Sequence, residues 1–480
     1  MSKTLEAKKR RRSDLLLEKV RSGEAMSLRE QIMLVILLSL PAMLAQLSNI
    51  VMEYIDASMV GRLGADASAS IGLVATSTWL IWGVCGSAVS GFAVQVAHRI
   101  GARDNAGART VLRQAITSTL ILSGIVSLTG IAISKQLPHW LGGSEEITAD
   151  ASRYFFIISA ALPLFQMRML SSSMLRSSGN VLVPSVLNVV LCFLDVILNF
   201  LFIFPTRQID FFGHTIEMFG AGLGVSGAAL GTVCAEVITT SIMFYYLCTR
   251  CPQLALTHDS GSFIPQRDCL RRAAEIALPM GIQHIVMTSA QVVSTTIVAP
   301  LGKMSIAANS FGITAESICY MPGYGIADAT QTLVGQSVGA RRPSLTRTFA
   351  WVGVGLGMTV MTLMGILMYI CAPIMMNMLT PVEEISRIGV EALRIEAFAE
   401  PMFAAAIVCY GVFVGTGDTL KPCIMNLVSM WAVRISLAAW LAPTYGLSGV
   451  WFAMCVELCF RGLIFLIRLR FGHWLKTERK

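Results

Sequence analysis

The sequence predicts an all-α membrane protein of twelve transmembrane helices. It places them in two six-helix lobes related by a pseudo-two-fold axis along the membrane normal. Three observations carry that prediction. Of the 480 residues, 54% are hydrophobic and only 14% charged, against about 25% charged in a soluble domain; the mean hydropathy is +0.66. The apolar runs approach or exceed the ~20 residues that cross a bilayer as a helix, whereas a β-barrel would alternate apolar and polar over about ten residues per strand. The third observation is that the chain repeats itself.

Pro41 recurs at Pro279 and Leu63-Gly64 at Leu301-Gly302, 238 positions on. The same offset carries Gly101-Ala102-Arg103 onto Gly339-Ala340-Arg341, Arg109 onto Arg347, Pro163 onto Pro401, Gly179 onto Gly417, Pro184 onto Pro422 and Asn188 onto Asn426. After Phe204 the offset drops to 222, with Ser226-Gly227 falling on Ser448-Gly449, so the first half carries a longer loop there. Tandem repeats are a construction of transporters, and six spans per half give both halves the same orientation in the membrane.

The apolar runs place spans 1 to 6 near 33–60, 70–97, 112–134, 151–175, 181–204 and 223–249. Spans 7 to 12 fall near 273–299, 306–338, 349–372, 388–414, 420–442 and 447–470. Span 1 opens behind Ser27 and Glu30, spaced as a capping box. Residues 1–32 are then a basic N-terminal segment, 33–249 the first lobe, 250–272 a linker with Pro252, Gly261 and Pro265, 273–470 the second lobe and 471–480 a tail. Gly222, Gly224 and Gly227 imitate a dinucleotide fingerprint but follow no strand and open a membrane helix, which excludes that reading. Gly227 and Gly231, and Gly353, Gly355 and Gly357 in span 9, instead suit close helix approach.

Basic residues cluster on alternate loops. Lys8, Lys9, Arg10, Arg11 and Arg12 precede span 1; Arg99, Arg103, Arg109 and Arg113 follow span 2. Arg250, Arg267, Arg271 and Arg272 follow span 6, and Arg341, Arg342 and Arg347 follow span 8. The intervening loops hold single cations: Arg62, Lys135, Arg207, Lys303 and Arg387. Both termini are therefore expected in the cytoplasm of a multi-pass plasma (inner) membrane protein. The net charge of +8 is mostly this bias, so no nucleic-acid partner is expected. The charged first 30 residues read as no signal peptide. The twelve cysteines sit mainly within spans, and the lone Cys248/Cys251 pair lacks any metal or redox context. The partners expected are the lipid bilayer and a small-molecule substrate, with the chain a monomer.

The polar residues inside spans carry the functional reading. Asp56 lies in span 1, where an acid costs about 2.5–3.5 kcal/mol on insertion scales and is by default a functional candidate. Glu53 stands three residues before it. In span 5, Asn188, Asp195 and Asn199 fall within about 40° of arc, a stripe that must face a cavity or other helices. A carboxylate with two amides binds a small cation or holds a proton; the alternative is hydrogen-bonded glue between helices. The second half holds Glu316 and Asp328 in span 8, Glu396 and Glu400 four apart in span 10, and Arg434 in mid-span 11, expected to pair with one of these acids. The repeat does not conserve the acids: Asp56 maps to Ser294, Asp195 to Val433, Glu316 to Thr78 and Glu400 to Leu162. His284 in span 7 is read as a hydrogen-bonded histidine, and most of the 26 Met and 22 Phe as membrane core.

Taken in order, the stretches 56–64, 96–103, 195–204 and 332–340 resemble the multidrug and toxic compound extrusion (MATE) family of secondary transporters, over about 30–470. The resemblance implies two lobes forming a V and efflux driven by Na⁺ or H⁺ entry. It also implies that Asp56 is the family's acid in helix 1 and that Pro41 marks a helix bend. There are departures. Some members carry Asn then Asp four apart in helix 5, where this chain has Asp195 then Asn199. One branch has an acid in helix 7 where this chain has Met287, and its helix 10 acid falls on Phe403, with Glu400 a turn away. Glu316 resembles the branch whose coupling centres on the first lobe.

The leading expectation is a cation-coupled antiporter exporting drugs or other organic compounds, cationic or amphipathic, with no cofactor beyond the transported Na⁺ or H⁺. Asp56, Asp195, Asn199 and Asn188 are its coupling candidates, Glu316, Glu400 and Arg434 its second-lobe candidates. Asp195 and Asn199 are expected to face an aqueous cavity within reach of Asp56. A flippase for a lipid-linked precursor is the alternative, although extra helices and a more cationic cavity would suit it. A membrane-embedded enzyme would want clustered acids or histidines, and a channel would not need asymmetric buried acids in a two-lobe repeat.

Overall fold

A computed structural model describes residues 12–211 and 214–475; Lys8, Lys9, Arg10 and Arg11 lie outside the described residues. Spans 1 to 3 are the helices Leu28–Gly61, Ala65–Gly101 and Asn105–Ile133; spans 5 to 9 are Leu182–Ile203, Gly224–Thr249, Arg267–Val298, Lys303–Gly339 and Pro343–Leu379. Span 4 is the pair Glu145–Ala160 and Leu162–Ser177, bent by 48°, and span 10 the pair Glu383–Glu396 and Glu400–Gly415, bent by 60°. The repeat partners Pro163 and Pro401 open the second half of each pair, where a missing N–H goes unmissed. Spans 11 and 12 run from Leu420 to Phe471 and part at Gly446, at φ 60° and ψ −141°. Among the described residues these make twelve spans, and most of the helices overrun their apolar runs by several residues. Span 1 passes unbroken through Pro41, behind a Ser27–Glu30 capping box with both reciprocal bonds made.

The repeat is written into the backbone. Gly64 and Gly302 both have positive φ (125° and 96°), as do Arg103 and Arg341 (59° and 55°) and Gly179 and Gly417 (88° and 78°). Gly224 and Gly446, at 57° and 60°, stand 222 apart, so the shorter offset holds there too. The extra residues of the first half form an antiparallel hairpin, β1 (Pro205–Phe211) and β2 (His214–Ala221), so a strand does precede Gly222, against the sequence reading; it belongs to a two-stranded hairpin and not to a βαβ unit.

The lobes meet where span 1 packs along span 8 and span 2 along span 7. Their contact is self-complementary, as a two-fold requires. His98 Nε2 donates to the Gly415 carbonyl at 2.8 Å, and its repeat equivalent Gln336 donates through Nε2 to the equivalent Ser177 carbonyl, also at 2.8 Å. Gly101 sits against the Gln336 carbonyl as Gly339 sits against that of His98; a Cβ at either glycine would come within 2.0 Å of the oxygen. An Arg176–Asp328 ion pair joins spans 4 and 8 across the same seam.

The N-terminal segment, expected only as a charge signal, folds over Arg12–Ser22 into an amphipathic helix. Leu16, Leu17 and Val20 form its buried stripe, spaced to share one helical face. They share one core cluster with Trp474 and Leu475, near the other end of the described chain, and the helix lies against Arg103 and Arg342 of the clustered arginines.

Candidate functional site

Spans 1 and 5 pack side by side and bring their acids together. Asn199 Nδ2 donates to Asp56 Oδ1 and to Asp195 Oδ2, each at 2.9 Å. Asp195 and Asn199 are 0% and 1% exposed. The expectation that they face an aqueous cavity is therefore corrected: in this structure they are enclosed. The reason is span 6, whose Gly231 lets its backbone lie against Asn199; a Cβ there would come within 2.1 Å of Asn199 Oδ1. Gly227, one turn earlier, meets the Phe202 carbonyl in the same way, so the two glycines do serve close approach. Thr232 sits beside Asp195 but donates to the Ala228 carbonyl at 3.1 Å. Asp195 Oδ1 and Asn199 Oδ1 are left as buried oxygens without donors. Two such oxygens next to a second carboxylate are what a proton or a small cation satisfies.

Asn188 does not join this cluster. It stands two turns away along span 5, about 10 Å by helical rise, and its Nδ2 donates to the Ala45 carbonyl (3.1 Å) and to Asn49 Oδ1 (2.7 Å). That ties span 5 to span 1 in the turn after Pro41. Glu53 is exposed and outside the cluster. Spans 1 and 5 also line a cavity of about 380 Å³, with Tyr54, Met59, Arg62, Phe200 and Phe204 among its walls and neither acid of the cluster among them.

The sequence reading missed the pair that backs this site. Glu236 of span 6, 3% exposed, forms an ion pair with Arg168 of span 4 (Nε to Oε1 2.7 Å) and accepts a hydrogen bond from Thr240 Oγ1 at 3.4 Å. Both charges lie inside spans, and a rule requiring every intramembrane charge to have a partner would have flagged them. Tyr154 was missed too. Its ring packs at the junction of three core clusters, within electrostatic reach of both Asp56 and Asp195.

The second lobe gathers its acids without closing them into bonds. Glu396 and Glu400 are both 0% exposed and Glu316 is 5% exposed. None of the four carboxylate oxygens of Glu396 and Glu400 has a hydrogen-bond donor. The two residues do not share one continuous helix as expected: the break in span 10 falls between them, leaving Glu396 at a C-terminus and Glu400 at an N-terminus. Arg434 lies in a π-helical turn, Ser429–Ile435. The expected ion pair with one of these acids is absent: among the described residues no carboxylate comes within 4.0 Å of it, and its Nη2 instead meets Met454 Sδ at 2.7 Å. The π turn and the break in span 10 hold the charges within electrostatic reach of one another but out of contact. The nearby ion pair that does form is Glu457–Arg461, one turn apart in span 12, with Ser429 Oγ donating to Glu457 at 2.5 Å. His284, as expected, is hydrogen-bonded, to the Trp79 carbonyl at 3.3 Å. No group of three or more His, Cys, Asp or Glu among the described residues has metal-site geometry.

Comparison with known proteins adds three findings. The MatE family model matches residues 41–201 and again 279–440, one match per half. A probable multidrug resistance protein NorM of Thermotoga maritima is 25% identical over 92% of this chain and 92% of its own length. Its namesake in Pseudomonas aeruginosa is 25% identical over 86% and 84%. Among solved structures, an outward-facing multidrug resistance MATE family transporter superposes with a TM-score of 0.85 at 20% identity, covering 95% of this chain and 97% of that one. A MOP superfamily transporter from Pyrococcus furiosus, described as having a binding pocket of reversed polarity, superposes with a TM-score of 0.84 at 20% identity and the same coverage.

Proposed function

Because the chain belongs to the MatE family of multidrug efflux transporters, we propose that it is a secondary active antiporter that exports organic compounds, cationic or amphipathic, in exchange for entering H⁺ or Na⁺. The observation that carries this reading is the single Asn199 amide bonded to both Asp56 and Asp195. Two carboxylates that share one donor in an enclosed lobe repel one another strongly when both are ionised. One proton or one Na⁺ relieves that repulsion, using the unpartnered oxygens of Asp195 and Asn199. In the ionised state the cluster attracts a cationic substrate; neutralised, it does not. Substrate and coupling ion then oppose each other, and linkage makes the opposition reciprocal.

The conformational step falls to span 1. Pro41 leaves one carbonyl of that helix without its usual donor, so bending there is cheap. Asn188, bonded at Ala45 and Asn49, transmits such a bend to span 5. Neutralisation of Asp56 favours the bent helix and expels substrate. The basic face is assigned to the cytoplasm of the plasma (inner) membrane, and the working unit is one chain. Glu316, Glu400 and Arg434 serve as a second polar centre.

Dye efflux from proteoliposomes, with imposed pH and Na⁺ gradients compared, tests the reading. Export of a cationic dye accelerated by one of the two gradients is expected; efflux indifferent to both contradicts it.

A further inference from the structure

The helix Arg12–Ser22 touches both lobes at once. Arg21 Nη2 donates to the Ser178 carbonyl of the first lobe at 2.7 Å, and Arg21 Nε to Gln336 Oε1 of the second at 3.1 Å. Glu18 pairs with Arg103 of the first lobe at 2.8 Å. Arg342 of the second lobe donates to the carbonyls of Lys19 (2.9 Å) and Glu24 (2.7 Å). Gln336 is a crossing point, since its amide also makes the inter-lobe bond to the Ser177 carbonyl. The seat is built for this helix: Gly179 turns at φ +88°, and a Cβ there would lie 2.4 Å from Leu17 Cδ1.

The repeat supplies an internal control. The equivalent turn at Gly417 receives no such helix, and the nearest atom to a Cβ there is Ile276 Cδ1 at 3.8 Å. The stretch 238 residues after Arg12–Ser22 is the linker. It holds one short turn, Leu256–His258, and its bonds run to the first lobe: Asp259 to Arg109 and Arg113, and Gln266 N–H to Gln114. The pseudo-symmetry of the lobes is therefore broken by one added element that spans their seam.

We propose that Arg12–Ser22 is a latch: seated, it holds the two lobes together on the basic face, and the lobes separate there only when it leaves its seat. The proposal rests on the alternating-access reading, since only a protein whose lobes part on that face has use for a latch. Loss of transport in a variant would not tell the two apart, so the test reads opening itself.

Amide hydrogen exchange of the full chain in nanodiscs is compared for the wild type, Leu17→Asp and Arg21→Gln. Leu17→Asp disrupts the apolar seat. Arg21→Gln keeps that seat and removes the guanidinium bonds to both lobes, so it carries the test even if Leu17→Asp does not fold. The expected result is faster exchange in the seam segments 97–104 and 333–342, by roughly tenfold or more, since two charge-assisted hydrogen bonds are lost, with 56–66 on the opposite face unaffected. A variant whose 12–22 segment exchanges as free chain while the seam keeps its wild-type rate overturns the latch.

Discussion

Asp56 and Asp195, on different spans, share one hydrogen-bond donor, the Asn199 amide, at 2.9 Å from each. Neither acid has a cationic partner within 4.0 Å among the described residues, and the one ion pair nearby, Arg168–Glu236, is already closed. On the proposed antiport, the charge state of the two acids is set by the coupling ion. Asp56→Asn and Asp195→Asn are each expected to abolish gradient-driven efflux in proteoliposomes while leaving a folded, inserted protein. Met287→Ala, outside the cluster, is expected to retain transport. Normal rates with normal ion dependence in Asp56→Asn would move the coupling site to Glu316 and Glu400.

Gly231 sets the closeness of spans 5 and 6. Since a Cβ at this position would meet both Asn199 Oδ1 and the Asn199 backbone, Gly231→Ala is expected to displace Asn199 and impair coupling more than folding. The measurement is transport rate against thermal unfolding in detergent. Gly355→Ala, with nothing within 4 Å of its added methyl, is the matched control.

In the Arg168–Glu236 pair, 2.7 Å apart, the glutamate is buried and the arginine partly exposed. Removing the arginine strands the buried carboxylate, so Arg168→Met is expected to lower stability by about 3–5 kcal/mol. The double change Glu236→Leu with Arg168→Met is expected to recover most of that loss. Equal destabilisation by the single and double variants would show that the pair is not coupled.

On the basic face, Arg113 and then Arg109 hold the Asp259 carboxyl below the usual carboxylate range. The sign follows: the clamp is fully present above the ordinary Asp pKa and is lost only as pH falls through the lowered folded value. Asp259→Asn is therefore expected to speed proteolysis of residues 250–266 at neutral pH, whereas mild acidification of the wild type is not.

Much of this architecture was legible because it is written twice. Pro163 and Pro401, and Gly179 and Gly417, marked the repeat by recurring at one offset, but the breaks in spans 4 and 10 and the positive-φ turns that these residues make were not read from it. His98 and Gln336 show the limit of that signal: they make equivalent inter-lobe bonds with different side chains, which residue identity does not reveal. A helical wheel gave azimuth but not depth, so Asn188 was grouped with an acid two turns away. Arg434 could not be paired from one dimension, because its distance from Glu316 and Glu396 depends on a π turn and a 60° break. Glu236 and Arg168 were missed, because they lie 68 positions apart on separate helices and only packing joins them. The buried leucines of Arg12–Ser22 were hidden in a segment read only for its charge.

The account turns on opposition between substrate and coupling ion at Asp56 and Asp195. Equilibrium binding of a fluorescent cationic substrate to the purified protein, across pH and across Na⁺ at fixed ionic strength, measures it directly. The wild type should bind more weakly as H⁺ or Na⁺ rises, and the dependence should vanish in Asp56→Asn. An affinity that does not change with either ion in the wild type, or a dependence that survives intact in Asp56→Asn, would contradict the account.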